Sequence, residues 1–370
     1  MSYTIEGLPL RALLPAIGKA EDQLARLDEQ VRRSPVGAGF VERGHFFDAA
    51  ASMWVGGELV HVEDLVLHDA RMDVRAPTHE LTIAHRVLRT RRRIAGMKPA
   101  WAVSDGGIGA LTGYGDDEHE FHTREGETLD EEPAVLSQMP EDDPFARELA
   151  NVDALLEQSQ RLLDRVSGVS KKGPHELVVG DLVVRDPDWD ERDRMAQWKR
   201  VLRDGEDLPP TLSAALLWDA WESLEPLQRQ HWLGTLLVSS HLRAQGKVAS
   251  HLFGFNVGLK AVPRERRRSA NRLTRLLAFL EAMTASAESG LKEIARLAQA
   301  REQMTRRLNG RRSSSSLPMA IELVLSRPVV SAPMIAKTAK VTQRAALNLI
   351  GELGVREMTG RGRYRAWGIL

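Results

Sequence analysis

The 370-residue chain contains no cysteine. That absence excludes disulfides, thiolate zinc sites and a cysteine nucleophile, and with them several enzyme classes. Long apolar runs are missing too: stretches such as Leu233 to Val238 fall far short of the roughly 20 residues that a membrane helix needs. The opening residues MSYTIEGLPL have neither the basic start nor the apolar stretch of a secretory signal. Together these absences predict a cytoplasmic protein with no membrane partner. No repeat of fixed period is visible, so a solenoid is not expected.

What is present is 42% hydrophobic residues, enough to bury a sizeable core shared among two or three domains. Formal net charge is zero, yet the charge is segregated. Thirteen acidic residues against two arginines lie between Asp116 and Glu148, a net of −11. From Arg301 onward thirteen lysines and arginines face four glutamates, a net of +9. A neutral chain with a basic end suits a polyanion gripped by one part only.

The patterning predicts a mainly α protein: a helical bundle body with a C-terminal winged helix-turn-helix. Residues 1–103 form an N-terminal helical region, with Ala20, Leu24, Leu27 and Val31 on one helix face and Leu81, Ala84, Val87 and Leu88 on another. Apolar periodicity then disappears in a glycine-rich and acidic stretch, so 104–144 reads as an exposed linker. A bundle domain follows at 145–310, with a small hairpin expected around Gly180-Asp181. RRSSSS, 311–316, is a hinge into the last domain, 317–370.

Sites for small ligands are weakly signalled. His119 and His122 sit among carboxylates, but a histidine pair in such a segment reads as solvated. The glycines of GGIGALTGYG lack both the GK[ST] and the preceding β-run of a phosphate loop. Neither a metal nor a cofactor is expected.

The C-terminal signals are stronger. Leu317 to Arg327 reads as a helix stopped by Pro328. Ser331 caps a short second helix with Pro333 in its first turn, and Lys340-Val341 makes the turn. Thr342 caps a third helix that Gly354 ends, with Ala346, Leu349, Ile350 and Leu353 facing inward. Its outer face carries Gln343, Arg344 and Asn348, residue types able to bond guanine and adenine edges in a major groove. Thr342, Lys337 and Lys340 flank them. The remaining chain reads as a two-stranded wing around Thr359 to Gly362, whose Arg361, Arg363 and Arg365 reach phosphates or a minor groove. The expected partner is double-stranded DNA, bound by a homodimer, since one recognition helix reads few base pairs and paired half-sites are the common remedy.

Ala51, Ser52, Val55, Gly57, Val60, Glu63, Asp64 and Leu65 match the spacing of the N-terminal helix and turn of Fic-domain proteins, which the chain resembles. The C-terminal helix-turn-helix is also similar to the one many bacterial Fic proteins carry. That resemblance implies a Fic-like body, but a degenerate one. The family's inhibitory glutamate falls on Gly56, and no HPFxxGNGR motif is present. By context, Glu225-Pro226-Leu227 stand at its His-Pro-Phe and Gln230, His231, Trp232 and Leu233 at its phosphate-binding part. A second stretch, HLFGFNVGL, keeps His251, Phe253 and Gly258. Without the general base and the backbone nest, nucleotide transfer is not expected. The whole also resembles rhizobial and related alphaproteobacterial proteins that join a domain of unknown function to a helix-turn-helix. The alternatives are a divergent Fic-type nucleotidyl transferase, which requires an ordered ATP site near Glu225 to Leu233, and a protein-protein interaction module.

Overall fold

The computed structural model describes residues 3–73, 76–113, 189–307, 316–359 and 365–369. The described chain is mostly helical, with a single small sheet near its C-terminus. In α1 (Leu10–Arg33) the residues Leu13, Ile17, Ala20, Leu24, Leu27 and Val31 recur every three or four positions and are buried, the stripe that a helix lays on a core. That stripe packs along the longest helix. The first half continues with α2 (Gly37–Gly56), α3 (Val62–Asp69), α4 (His79–Gly96) and α5 (Asp105–Thr112).

The second half adds α6 (Glu191–Asp204), α7 (Pro210–Leu224), α8 (Leu233–Ala244), α9 (Phe255–Ala261), α10 (Arg264–Arg267) and α11 (Arg272–Arg306). Every residue from Thr211 to Trp221 and from Leu233 to Leu242 is buried. Helices apolar all round belong at a centre, and α7 and α8 pack against each other there. Trp198 of α6 and Trp221 of α7 meet edge to face, ring centroids 5.5 Å apart. Their indole N–H groups donate to the Leu217 and His231 carbonyls at 2.9 and 3.0 Å. The 35 residues of α11 make a rod of about 52 Å, held at its start by Asn271, whose side chain accepts from the Thr274 N–H.

Two differences from the sequence reading stand out. Helices from 1–103 and from 189–307 share one apolar core, because α1 buries its stripe on α11. Asp105–Thr112, inside the stretch read as linker, is helical. The Ser104 side chain caps it by accepting from Gly107 N–H at 3.1 Å, and Ile108 is buried. A Cβ at Gly107 would lie 1.8 Å from the Trp101 carbonyl, so glycine here permits close packing, although it looks like a loop residue in sequence. The start of the expected bundle domain at 145–188, the hairpin at Gly180-Asp181 and residues 311–315 of the expected 311–316 hinge lie outside the described residues, as do His119 and His122.

The C-terminal domain comprises α12 (Leu317–Ser326), β1 (Val330–Ser331), α13 (Ala332–Ala339), α14 (Gln343–Leu353), β2 (Arg356–Glu357) and β3 (Ala366–Gly368). β3 lies between β1 and β2, antiparallel to both. This sheet has a strand more than the expected hairpin, because Val330 and Ser331, just before α13, pair with Trp367 and Ala366. The domain sits on α2, where Arg43 crosses the join. Its guanidinium donates to the Val324 carbonyl at 3.4 Å and to the Arg327 carbonyl, and it pairs with Glu293 of α11 at 3.0 Å. A cation at a helix C-terminus satisfies both the orphan carbonyls and the negative end of the dipole.

Candidate nucleic-acid interface

The geometry of the last three helices follows from their caps. Ser331 Oγ accepts from Met334 N–H at 3.4 Å and Thr342 Oγ1 from Ala345 N–H at 3.2 Å, so each short helix starts where the sequence places a cap. Lys340 adopts a left-handed conformation, φ 52°, and turns the chain between α13 and α14 within three residues. Gly354, φ 66°, ends α14. Left-handed backbone favours glycine there, and the Arg307 guanidinium occupies the space a Cβ would need.

Ala346, Ile350 and Leu353 of α14 are buried against α12 and α13, while Leu349 is half-buried. The opposite face exposes Thr342, Gln343, Arg344, Leu347 and Asn348. Lys337 and Lys340 are exposed on the preceding helix and turn. One member of this surface escapes a charge-and-polarity reading of the sequence: Leu347, 46% exposed. Its spacing from Arg344 and Asn348 is the available clue.

The basic residues of the C-terminal end fall into two groups. Arg301 pairs with Glu322, Arg306 with Glu302, Arg327 with Glu42, and Arg307 donates to the Glu352 carbonyl. Arg365 pairs with Glu357 at 2.5 Å and stacks over Trp367, so it is committed across the β2–β3 ladder. The neighbouring carboxylate holds the Arg365 guanidinium above its ordinary pKa, hydrogen bonding first and charge second. Lys337, Lys340, Arg344 and Arg356 have no carboxylate partner among the described residues. Arg361 and Arg363 lie outside the described residues.

In the body, the two histidines that the Fic resemblance singles out differ in exposure: His231 is exposed and His251 buried. His231 Nε2 bonds Glu222 at 2.8 Å, and Glu225 ends α7 in a left-handed conformation. His251 is buried, its Nδ1 2.9 Å from Ser250 Oγ, and burial pushes its pKa down to about 4. Nearby, Asp48 accepts from Arg91, from Asn256 Nδ2 at 3.0 Å and from Val257 N–H at 3.2 Å, fixing the start of α9 against α2 and α4. No group of three or more histidines and carboxylates suited to a metal occurs among the described residues. Among them, too, no helix is long and apolar enough to cross a membrane.

Comparison with known proteins places these two parts in families. Residues 317–370 match the family described as HTH DNA binding domain. Residues 183–309 match the family described as protein of unknown function (DUF1612). The chain is 45% identical over 381 aligned residues to "Uncharacterized protein y4cF" of Sinorhizobium fredii (strain NBRC 101917 / NGR234), with all of both chains covered. It therefore belongs to the family of that protein, and in this chain the region matching DUF1612 is followed by the one matching the helix-turn-helix DNA-binding domain.

Proposed function

We propose that the C-terminal domain is a winged helix-turn-helix that binds double-stranded DNA by sequence, and that the protein regulates transcription. In this reading the N-terminal half of α14 enters the major groove. Gln343, Arg344 and Asn348 meet base edges, Thr342 and Leu347 pack beside them, and Lys337 and Lys340 meet phosphates. Arg361 and Arg363 supply the wing, while Arg365, paired with Glu357, shapes it. The observation that carries the proposal is the set of unpaired cations: Lys337, Lys340 and Arg344 remain free on the helix-turn-helix, as does Arg356 of β2, where Arg301, Arg327 and Arg365 are neutralised. Leaving charge exposed on one surface suits a polyanion. Two copies, each reading one half-site, extend the sequence recognised.

The body in this reading is a non-enzymatic holder for the domain. The buried, neutral state of His251 leaves that histidine of the Fic-like stretches unavailable as a solvent-facing base.

The test is selection of bound fragments from random duplex DNA, followed by affinity measurements at several salt concentrations. Arg344→Ala is expected to cost about 1–3 kcal/mol on the selected site and to relax one position in it. Lys340→Ala should weaken all sequences alike and reduce the salt slope by about 1. Exposed Leu347 also favours a second reading, in which α14 docks a protein. Binding that neither depends on salt nor changes in Arg344→Ala would sink the DNA reading in favour of that one.

A further inference from the structure

A cavity of about 330 Å3 opens in the body between α2, α9 and α11, a size within the range of small-molecule sites. Its walls are mainly apolar and aromatic, including Phe40, Phe47, Trp54, Val60 and Leu252. Few polar groups reach it, and most are already committed. Arg91 is neutralised by Asp48, and Ser286 donates to the Gly254 carbonyl at 2.6 Å. Glu293 is balanced by Arg43 and Arg296.

The exposed edge differs. Trp54 is 39% exposed, and Lys260 and Arg267 stand over its ring at 5.7 and 5.8 Å. Lys260 is exposed and has no carboxylate partner among the described residues, whereas Arg267 is buried and donates to the Val262 carbonyl at 3.1 Å. Within the wall, Arg91 Nε is buried with no hydrogen-bond partner. An apolar chamber with positive charge at its lip calls for a compact apolar body carrying one anionic group.

We propose that this cavity binds a small aromatic monocarboxylate, its ring between Phe40, Phe47 and Trp54 and its carboxylate at Lys260. The proposal concerns the body alone and stands whether or not the C-terminal domain binds DNA.

The glycine at 44 supplies a clean test. It lines the cavity, yet a Cβ there would meet nothing within 4 Å. A leucine at this helical position starts from a Cβ free of contact, adds bulk at the cavity wall and favours the helix. The probes are 1-naphthoate and its neutral counterpart 1-naphthalenemethanol, titrated into the full chain by calorimetry and by tryptophan fluorescence. Saturable one-to-one binding of 1-naphthoate is expected, and Gly44→Leu should abolish it with a thermal unfolding midpoint no lower than wild type. Lys260→Met, at an exposed position, should weaken 1-naphthoate at least about tenfold and leave the alcohol unaffected. Absence of saturation at millimolar probe, or Gly44→Leu binding as wild type does, would overturn the proposal. Equal loss of acid and alcohol in Lys260→Met would overturn its carboxylate assignment.

Discussion

His241 is 2% exposed in the last turn of α8, and its Nε2 has no hydrogen-bond partner. Burial alone pushes its pKa down to about 4 from 6.5, so the folded protein holds it neutral while the unfolded chain takes up a proton as pH falls below 6.5. A depressed histidine therefore removes stability with acid. Above pH 6.5 the penalty is negligible, it grows between 6.5 and 4, and it is constant below 4. His241→Leu has nothing to protonate and leaves no orphaned nitrogen. Its urea-unfolding free energy relative to wild type should rise by about 2 kcal/mol between pH 7.5 and pH 5. A difference that does not change with pH would show that the imidazole is hydrated in solution. The same residue scale explains why the candidate interface was only partly legible. Exposure of Gln343, Arg344 and Asn348 follows from helical periodicity, so the sequence locates them. The partner of Arg365 is Glu357, eight residues earlier across a ladder, and strand register is invisible in a charge pattern.

At the scale of elements, legibility tracks how local the determinants are. The caps Ser331 and Thr342 and the stop at Gly354 are read directly, because each acts within three or four residues. α5 is missed because its glycines lower helix propensity while its packing on Trp101 comes from tertiary structure. The cavity between α2, α9 and α11 draws residues from positions 27 to 293, so no motif could announce it. Packing between α7 and α8 is equally non-local and tests the centre of the body. A Cβ at Gly234 would lie 2.4 Å from the Trp221 ring, which is itself pinned by its bond to the His231 carbonyl. Gly234→Ala must displace that ring and is expected to destabilise the fold by about 1–3 kcal/mol, measurable as a lower urea midpoint with unchanged slope. A gain in stability, as the higher helix propensity of alanine alone would give, would mean that α7 and α8 stand further apart.

For the whole molecule, the question is how firmly the body holds the helix-turn-helix. Arg43 bonds the α12 C-terminal carbonyls and Glu293 in one step, and Glu293 keeps Arg296, which donates to the Ile369 carbonyl at 2.6 Å. Burial of Arg43 lowers its pKa and the Glu293 charge opposes that, so the guanidinium is the costly, specific part of the join. Replacing it with methionine keeps apolar volume but leaves the Val324 and Arg327 carbonyls without this donor. Losing a charged donor to buried acceptors costs about 1–3 kcal/mol. Because Glu293 retains Arg296, the loss should stay local. Hydrogen exchange of Arg43→Met is therefore expected to speed up in α12 and β3 while α7 and α8 stay as protected as in wild type. Faster exchange throughout would make Arg43 a determinant of the body itself, and unchanged exchange in α12 would mean that the apolar contacts around Phe46, Val329 and Met334 hold the domain without it.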